Sequence, residues 1–441
     1  MDASENSTAA KMREVARQVF LQTLEEISIP RVFSQKVEYS RGIMRVQEDV
    51  YDLSSYARVL VVAMGKAAHT MLESLLTQTG PALEGIVVCS EPPAWQQPGF
   101  RYFLGGHPLP TEESVRGARA LLKYLSGLND TTLVIYLISG GASAMVEVPR
   151  HEEISVEDLA ATYRALVLSG ATIGEINAIR KHLSAVKGGR LAQAAYPARQ
   201  VSIMVSDVPE HSLDALASGP TMPDSSTTED CYRIAERHGI TSQLPASVRS
   251  LFDDHALDET AKSDDPAFVN SRWWPILSST SAAQAAASLI SKHGFAVEID
   301  NTPDDWPYDR ADKYLLRRLR ELRQGASRVA LISAGEVTVK VPTHGGTGGR
   351  NQHFALHFAG QIVSENIAVL SAGTDGIDGN SPAAGAVVDG TTIERAKKIG
   401  ADATRAQDNF DSFPLLEKLG DAIVTGPTGN NVRDIRILLA Y

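Results

Sequence analysis

The stretch Val59-Leu-Val-Val62, followed by Met64-Gly-Lys-Ala-Ala68, decides the fold of this chain. A short apolar run rich in β-branched residues predicts a buried strand, and the amphipathic stretch after it predicts a helix. The pattern recurs where Thr132–Ile138 leads into Ser139-Gly-Gly-Ala-Ser143, and again after Val201–Val205. Strands that alternate with helices in this way predict an α/β fold, with a mostly parallel sheet covered by helices on both faces.

The length of the chain predicts two domains. Single hydrophobic cores stop growing near ~250–300 residues, and the chain has 441 residues. Charged and proline-containing segments loosen the α/β pattern between about 230 and 305. We therefore expect a disordered tail over residues 1–11, an N-terminal domain over 12–240 and a C-terminal α/β domain over 241–441.

The composition narrows the class of protein. The formal net charge of −11 disfavours nucleic acid and anionic membrane surfaces as partners. Cys89 and Cys231 have no CxxC spacing, so neither a disulfide framework nor a cysteine-based zinc site is expected. The N-terminal residues do not resemble a signal peptide, and no apolar run approaches the ~20 residues that span a bilayer. We expect a cytoplasmic protein without a membrane or nucleic-acid partner.

Glycine-rich loops follow the predicted strands at 139–143, 345–350, 373–379 and 426–429. Ligands of open α/β sheets bind at the carboxyl ends of strands, where glycine lets a phosphate approach the backbone. Such loops can also serve only to turn the chain, but four of them bearing Ser, Thr, Asp and Arg favour phosphate binding. The GxxxxGK[ST] and GxGxxG motifs are absent, so a nucleotide would bind through another arrangement.

Lys66 is a candidate functional cation. It follows a glycine where a strand turns into a helix, and the helix dipole disfavours a lysine at that point. Its ammonium group is suited to neutralise a phosphate or to orient a carboxylate. The alternative is a solvated lysine without a role.

A cluster of cationic residues lies between 180 and 190. Arg180, Lys187 and Arg190 recur at three- and four-residue spacing, which predicts that they share one helix face. A solvent-facing basic stripe is the alternative interpretation. A substrate that has a carboxylate and accepts a phosphoryl group would need such a cluster of cations.

Carboxylates that follow predicted strands form the complementary set. Asp207 follows one strand, and Asp375 and Asp378 follow another. Kinases hold Mg²⁺ with one or two carboxylates and nucleotide phosphates, and a carboxylate can also accept the proton of an attacking hydroxyl. Aspartates in glycine turns can also be Asx-turn residues, which leaves both interpretations open.

The motifs, taken in order, resemble one family. They are 63–68, 105–110, 139–144, 177–184, 187–190, 206–208, 217–221, 333–338, 348–352, 373–379 and 425–429. Together they resemble the glycerate 2-kinases whose C-terminal part is called the MOFRL domain, from about residue 12 to the end. Asn430 and Ala334 depart from the usual residues, and the first removes a hydroxyl from the last loop.

The resemblance implies ATP- and Mg²⁺-dependent phosphorylation of D-glycerate at its 2-hydroxyl. It also implies a Rossmann-like N-terminal domain and a distinct α/β C-terminal domain, with the active site in a cleft between them. The family's functional lysine and arginine match Lys66 and Arg350. Closure of the two domains would then bring these two cations to one phosphoryl group or carboxylate.

The predicted site combines the residue chemistry with the resemblance. We expect Lys66, Arg350, Asp207 and Asp375 to be catalytic, and the two aspartates to hold Mg²⁺. The nucleotide and substrate residues complete the site: for ATP, Gly140, Gly141, Ser143, Lys187, Arg190, Gly348 and Gly349, and for D-glycerate, Asn177, Arg180 and Lys181.

The oligomeric state and two alternative functions stay open. The chain is expected to be a monomer or a homodimer with small-molecule partners only. The first alternative function is an oxidoreductase of the hydroxypyruvate reductase type, which needs a dinucleotide site. The second is a non-catalytic module that binds a sugar acid or a nucleotide.

Overall fold

The computed structural model describes residues 3–80, 82–342 and 344–441, with side chains from Thr8 onward. The chain folds into two compact units. The central unit is Val32–Ile276, and the terminal unit combines the residues up to Arg31 with Leu277–Tyr441. Helix α1 (Ala3–Glu26) belongs to the terminal unit, and the boundary between Arg31 and Val32 falls within helix α2 (Ile29–Lys36).

The central unit contains two sheets. A small antiparallel sheet consists of β1 (Val37–Ser40), β2 (Ile43–Val46) and β3 (Asp49–Asp52). The main sheet consists of β4 (Arg58–Met64), β5 (Glu84–Cys89), β6 (Phe100–Leu104), β7 (Thr132–Ile138), β8 (Arg199–Val205) and β9 (Ser271–Leu277). Its helices are α3 (Ala68–Thr79), α4 (Glu112–Leu125), α5 (Ala142–Met145), α6 (Val156–Leu168), α7 (Ile173–Leu183), α8 (Arg190–Ala195), α9 (Thr228–Arg237) and α10 (Ala246–Asp253).

The main sheet has the Rossmann strand order. The order is β6-β5-β4-β7-β8-β9, and the pairs from β6 through β8 are parallel. Strand β7 is buried along its whole length, as is β4 from Leu60 to Met64, because a parallel sheet is covered on both faces. The predicted α/β fold with a mostly parallel, Rossmann-like sheet is confirmed.

The terminal unit is a second α/β structure. Its elements after α1 are α11 (Ser279–Ser291), β10 (Ala296–Ile299), α12 (Tyr308–Arg323), β11 (Val329–Ala334), α13 (Arg350–Gln361), β12 (Ile367–Gly373), β13 (Gly385–Asp389), α14 (Thr392–Lys398), α15 (Ala403–Asp408), α16 (Ser412–Lys418), β14 (Ala422–Ile423) and β15 (Asp434–Ala440). The sheet is mixed, with the order β10-β11-β15-β12-β13-β14. Strand β15 lies antiparallel between β11 and β12, so these two strands end at the same edge.

The start of the chain is part of the terminal unit rather than a free tail. Residues 3–11, which were expected to be disordered, begin helix α1, while Met1 and Asp2 lie outside the described residues. Arg13 on α1 pairs with the buried Asp389, and Arg17 donates to the carbonyl of Ala422 at 3.0 Å. These long-range contacts show where α1 packs.

The compact units also differ from the expected division near residue 240. Helices α9 and α10 pack on α6 and α7 around a shared core that includes Leu159, Cys231 and Val248. The chain then returns to add β9 to the main sheet, so the central unit extends to Ile276. The charged and proline-containing segments after residue 230 therefore do not mark a domain boundary near residue 240. No helix in the described ranges is long and apolar enough to cross a membrane.

Candidate active site

The loops after β4 and β7 meet at the point where the order of the central sheet reverses. Strand β4 has β5 on one side and β7 on the other, and both β4 and β7 end at the same edge. Lys66 follows β4, and the loop Ser139–Gly141 follows β7. Ligands of open α/β sheets bind at such a switch point, because the loops diverge there and leave a crevice.

Backbone hydrogen bonds fasten these two loops together. The N–H of Lys66 donates to the carbonyl of Gly140 at 2.9 Å, and the N–H of Ala67 donates to Ser139 Oγ at 3.0 Å. Gly65 has a φ of 111°, and a Cβ there would overlap the backbone and hydroxyl of Ser139. The Gly65-Lys66 pair therefore fixes the lysine beside the second loop.

Three chemically active side chains converge on this loop. A Cβ on Gly140 would overlap the carboxylate of Asp207, and a Cβ on Gly141 would lie 3.2 Å from both Lys66 Cγ and His107 Cδ2. Burial, and then the charge of Lys66, lower the pKa of His107. An exposed lysine, a carboxylate and a neutral imidazole thus surround a glycine loop. His107 was missed as a site residue, although it lies in the quoted motif at 105–110.

Two of the predicted binding cations have buried acidic partners. Lys181 is buried and donates to Asp214 at 2.8 Å and to Asp224 at 3.1 Å. Lys187 is buried against Glu147, and its burial lowers the pKa of its ammonium group although the carboxylate opposes the shift. Buried charges require such partners, so these contacts hold the loops of the central unit together. Direct contact of Lys181 and Lys187 with a ligand stays a prediction.

The prediction that Arg180, Lys187 and Arg190 share one helix face is wrong. Helix α7 ends at Leu183, where Ser184 is extended, and α8 begins only at Arg190, after Gly188 and Gly189 in left-handed conformations. Arg190 turns inward and donates to backbone carbonyls, among them that of Lys181 at 2.8 Å. A regular three- and four-residue spacing does not show where a helix stops.

The other predicted side chains of the central unit lie on or near α7 and the glycine loop. Asn177 is buried on α7, and Arg180 stacks over the ring of Tyr163 at 4.6 Å. Ser143 shares a hydrogen bond of 2.9 Å with Ser218, which ties the glycine loop to the 217–221 motif. Their roles toward a ligand stay predictions.

In the terminal unit, an ion cluster lies where β11 and β12 end and β15 begins. Arg350 donates from Nε to Asp434 at 2.7 Å and from Nη2 to Asp434 at 3.0 Å, and it pairs with Glu336 at 2.8 Å. Burial alone would lower the pKa of Arg350, but the carboxylates of Asp434, Glu336 and Asp378 together raise it. Burial and the charge of Asp434 raise the pKa of Glu336. Neither carboxylate was predicted, although Glu336 lies in the 333–338 motif.

The start of helix α13 already holds an anionic group. Asp378 is buried and accepts the backbone N–H of Asn351 at 3.0 Å and that of Gln352 at 2.9 Å. Gly349 precedes the helix, and a Cβ there would overlap the Asp378 carboxylate. A helix N-terminus binds anions, and here a carboxylate of the protein takes the position that the sequence suggested for phosphate at Gly348 and Gly349.

A cavity of about 610 Å³ opens beside this helix start. Gly348, Gly349, Arg350 and Asp375 all line it, so the structure brings these four predicted residues together. Asp375 also accepts the N–H of Ile377 at 3.1 Å, as an Asx-turn residue does. The Asx-turn interpretation and a functional role are therefore compatible for this side chain.

The donor atoms permit a divalent cation only together with ligand oxygens. Within the described ranges, no three His, Cys, Asp or Glu side chains form a group that could hold a metal ion. Mg²⁺ is commonly held by one or two carboxylates and by phosphates of the substrate. Asp207 and Asp375 carry the right kind of oxygen, so the residues fit an ion that arrives with a nucleotide.

Residues 15–253 match the family described as Domain of unknown function (DUF4147), and residues 329–434 match the MOFRL family. A D-glycerate 2-kinase of Thermotoga maritima is 38% identical over 86% of this chain and 90% of its own length. The chain belongs to the glycerate 2-kinase family.

A solved structure and a relative of another name are also similar to this chain. The crystal structure of a Thermotoga maritima glycerate kinase superposes with a TM-score of 0.84 at 34% identity, over 98% of this chain and all of that one. A putative hydroxypyruvate reductase of Agrobacterium vitis is 35% identical over 87% of this chain and 99% of its own length. The resemblance seen in the glycerate 2-kinase motifs is confirmed.

Proposed function

We propose that this chain is a glycerate 2-kinase that transfers the γ-phosphoryl group of ATP to the 2-hydroxyl of D-glycerate. The observation that carries the proposal is the convergence of Lys66, His107 and Asp207 on the glycine loop at the switch point of the central sheet. The family supplies the substrate, since the Thermotoga maritima relative is named a D-glycerate 2-kinase.

The proposed reaction is an in-line displacement. The 2-hydroxyl oxygen of glycerate forms a bond to the γ-phosphorus, while the bond from that phosphorus to the β–γ bridging oxygen breaks and ADP leaves. The hydroxyl proton goes to a carboxylate. Asp207 suits this role because its carboxylate lies against Gly140, in the loop whose next residue, Gly141, neighbours the side chain of Lys66. Asp375 in the terminal unit is the alternative proton acceptor.

Lys66 and Arg350 would supply positive charge. Phosphoryl transfer depends mainly on positioning and on electrostatic stabilisation of the transferring group. Lys66 is exposed at the glycine loop, where its ammonium group can reach a phosphate or the glycerate carboxylate. Arg350 uses Nε and Nη2 for its pairs with Asp434 and Glu336, so the N–H groups on Nη1 are the ones suited to a ligand.

We also propose that Mg²⁺ accompanies the nucleotide. A bound Mg²⁺ ion neutralises phosphate charge. Asp207 and Asp375 are the residues that would hold it, each by a carboxylate oxygen. Gly140, Gly141 and Ser143 would present backbone N–H groups to the phosphates, and Asn177, Arg180 and Lys181 would face the glycerate.

The cellular setting follows from the same proposal. We expect a cytoplasmic protein that acts on small molecules and exists as a monomer or a homodimer. Light scattering coupled to size-exclusion chromatography measures the oligomeric state. A mass above that of a dimer would contradict this part of the proposal.

The test is to identify the product by ³¹P NMR. The protein is incubated with ATP, Mg²⁺ and D-glycerate, and the expected products are ADP and 2-phosphoglycerate. A 3-phosphoglycerate product would overturn the assignment of the hydroxyl group. ATP that stays intact in the presence of D-glycerate would overturn the kinase itself.

An oxidoreductase is the second candidate, because the Agrobacterium vitis relative is named a putative hydroxypyruvate reductase. Such an enzyme needs a dinucleotide site, and the GxGxxG sequence is absent after β4. Oxidation of NAD(P)H by hydroxypyruvate in the presence of the protein would favour this candidate. A non-catalytic binding module would instead bind D-glycerate or ATP saturably without turnover.

A further inference from the structure

The cavity of the terminal unit is larger than a three-carbon acid requires. Its volume is about 610 Å³, within the range of about 300–1,000 Å³ that is typical of sites for drug-sized ligands. A water molecule occupies about 30 Å³ of liquid, and glycerate is only a few times larger. Glycerate would therefore leave most of the cavity filled with solvent.

The walls of the cavity present more apolar surface than the small, polar glycerate could contact. Val339, Val341, Pro342, Ile377 and Phe410 line it. Val341 is 61% exposed and Ile377 is 51% exposed, although both face the same cavity. Exposed apolar side chains that gather around one concave surface indicate a ligand with an apolar face.

One wall is held in a fixed orientation. The ring of Phe410 stacks on His353 with 4.1 Å between the ring centroids and an interplanar angle of 5°. Phe410 itself has a φ of 52°, a left-handed conformation that a non-glycine residue rarely adopts. Such local strain often lies at binding sites, where the surrounding structure maintains it. The stacked pair gives the cavity a rigid aromatic wall.

The carboxylates of the cavity oppose a polyphosphate but suit hydroxyl and amine donors, and Arg350, its cation, is paired with Asp434 and Glu336. Asp375 and Asp378 line it, and Asp378 already occupies the N–H groups at the start of α13. Burial and the neighbouring His357 lower the pKa of His353 to about 4, so this imidazole is neutral near neutral pH. Carboxylates accept hydrogen bonds from ribose hydroxyls, whereas they repel phosphate oxygens.

From size, wall chemistry and charge we infer that this cavity holds the nucleoside part of ATP, that is, its purine base and ribose. The inference rests on the proposed function for the identity of the nucleotide. The base lies against the apolar wall that includes Val341 and Phe410, and the ribose hydroxyls face the carboxylate of Asp375, which leaves Asp207 as the Mg²⁺ ligand and proton acceptor. The phosphates then avoid the N–H groups that Asp378 occupies at the start of α13, while Nη1 of Arg350 stays available to the transferring group.

The substitution Val341→Trp fills the cavity and tests the inference. Val341 is exposed, so a larger side chain there does not disturb the core, and thermal unfolding of the variant verifies this. Val363→Trp is the matched control, because Val363 is 48% exposed and does not line the cavity. Isothermal titration calorimetry with ADP and with inorganic tripolyphosphate measures binding to the full chain.

We expect Val341→Trp to weaken ADP binding at least about tenfold and to raise the KM for ATP to a similar degree. The KM for D-glycerate and the affinity for tripolyphosphate should stay within about twofold of wild type. Val363→Trp should resemble wild type in all four quantities. Ile377→Trp, on the other side of the cavity, should reproduce the result for ADP and exclude an effect peculiar to position 341.

Three results would overturn the inference. Unchanged ADP binding in both tryptophan variants would show that the nucleoside lies elsewhere. A raised KM for D-glycerate with unchanged ADP binding would assign the cavity to the acid. An equal loss of tripolyphosphate affinity would assign it to the phosphates. Failure of the proposed function would give a different result. Wild type would then bind ADP, and Val341→Trp would weaken that binding, but no phosphoryl group would be transferred to glycerate.

Discussion

The substitution Asp378→Asn tests the energetic cost of a buried carboxylate at the start of helix α13. The carboxylate accepts backbone hydrogen bonds of 3.0 Å from Asn351 and 2.9 Å from Gln352. Burial nevertheless raises the pKa of Asp378 from 3.8 to about 6. The loss of hydration therefore disfavours the charged form more than the donated hydrogen bonds favour it.

The magnitude and sign follow from the two pKa values. A rise of about two units corresponds to about 3 kcal/mol of folding free energy. The folded protein binds the proton more tightly than the unfolded chain does. The stabilising contribution is thus fully present below pH 3.8 and is lost as the pH rises through about 6. Asp378→Asn has no carboxyl group to titrate there and serves as the reference.

Native-state hydrogen exchange of α13 measures this effect, after correction for the intrinsic pH dependence of exchange. Relative to Asp378→Asn, the wild-type helix should gain about 2 kcal/mol of opening free energy between about pH 7.5 and about pH 4.5. A difference between the two proteins that stays constant within about 0.5 kcal/mol would refute the reasoning. It would mean that the hydrogen bonds fully offset the burial.

Three other substitutions test the site. Lys66→Ala should lower kcat/KM for glycerate phosphorylation by about 10²–10³-fold, the usual effect of removing one preorganised charge. Its thermal stability should not change. Lys123→Ala, at another exposed lysine of the central unit, should leave kcat/KM and thermal stability unchanged. Gly140→Ala places a methyl group where the Asp207 carboxylate lies. It should lower kcat about 10²-fold with little loss of stability. A kcat equal to that of wild type would exclude Asp207 from the reaction. Arg350→Lys loses the paired hydrogen bonds to the buried carboxylate of Asp434. It should lower the free energy of unfolding, measured by urea titration, by about 2 kcal/mol. An unchanged urea midpoint would show that this ion pair does not stabilise the fold.

Strands β4 and β7 of the central sheet could be predicted from local pattern because each contains a continuous apolar run followed by a glycine or serine. A parallel strand is buried on both faces, so its sequence records the burial directly. The meeting of these loops at the switch point was predictable for a related reason. Lys66, Gly140 and Asp207 each follow such a strand, and the carboxyl ends of parallel strands share one edge.

The ion cluster of the terminal unit could not be predicted in the same way. Asp434 lies at the beginning of β15, which runs antiparallel between β11 and β12, so its carboxylate meets Arg350 from 84 residues away. Antiparallel placement mixes the beginnings and ends of strands at one edge, and no local pattern marks which residue arrives there. The burial of Lys181 and Lys187 was hidden for the same reason, since their acidic partners are distant in sequence.

The sequence by itself determined the alternation of strands and helices, the family, and the glycine loops with Lys66 and Asp207, because these features are local and repeat with the periods of secondary structure. The tertiary structure alone decided that the first helix completes the terminal unit, that α7 and α8 are separate, and that Asp378 occupies the start of α13. It also decided where the apolar cavity lies. Each of these features depends on which distant segments pack together. Long-range packing, unlike secondary structure, leaves no periodic pattern in the sequence.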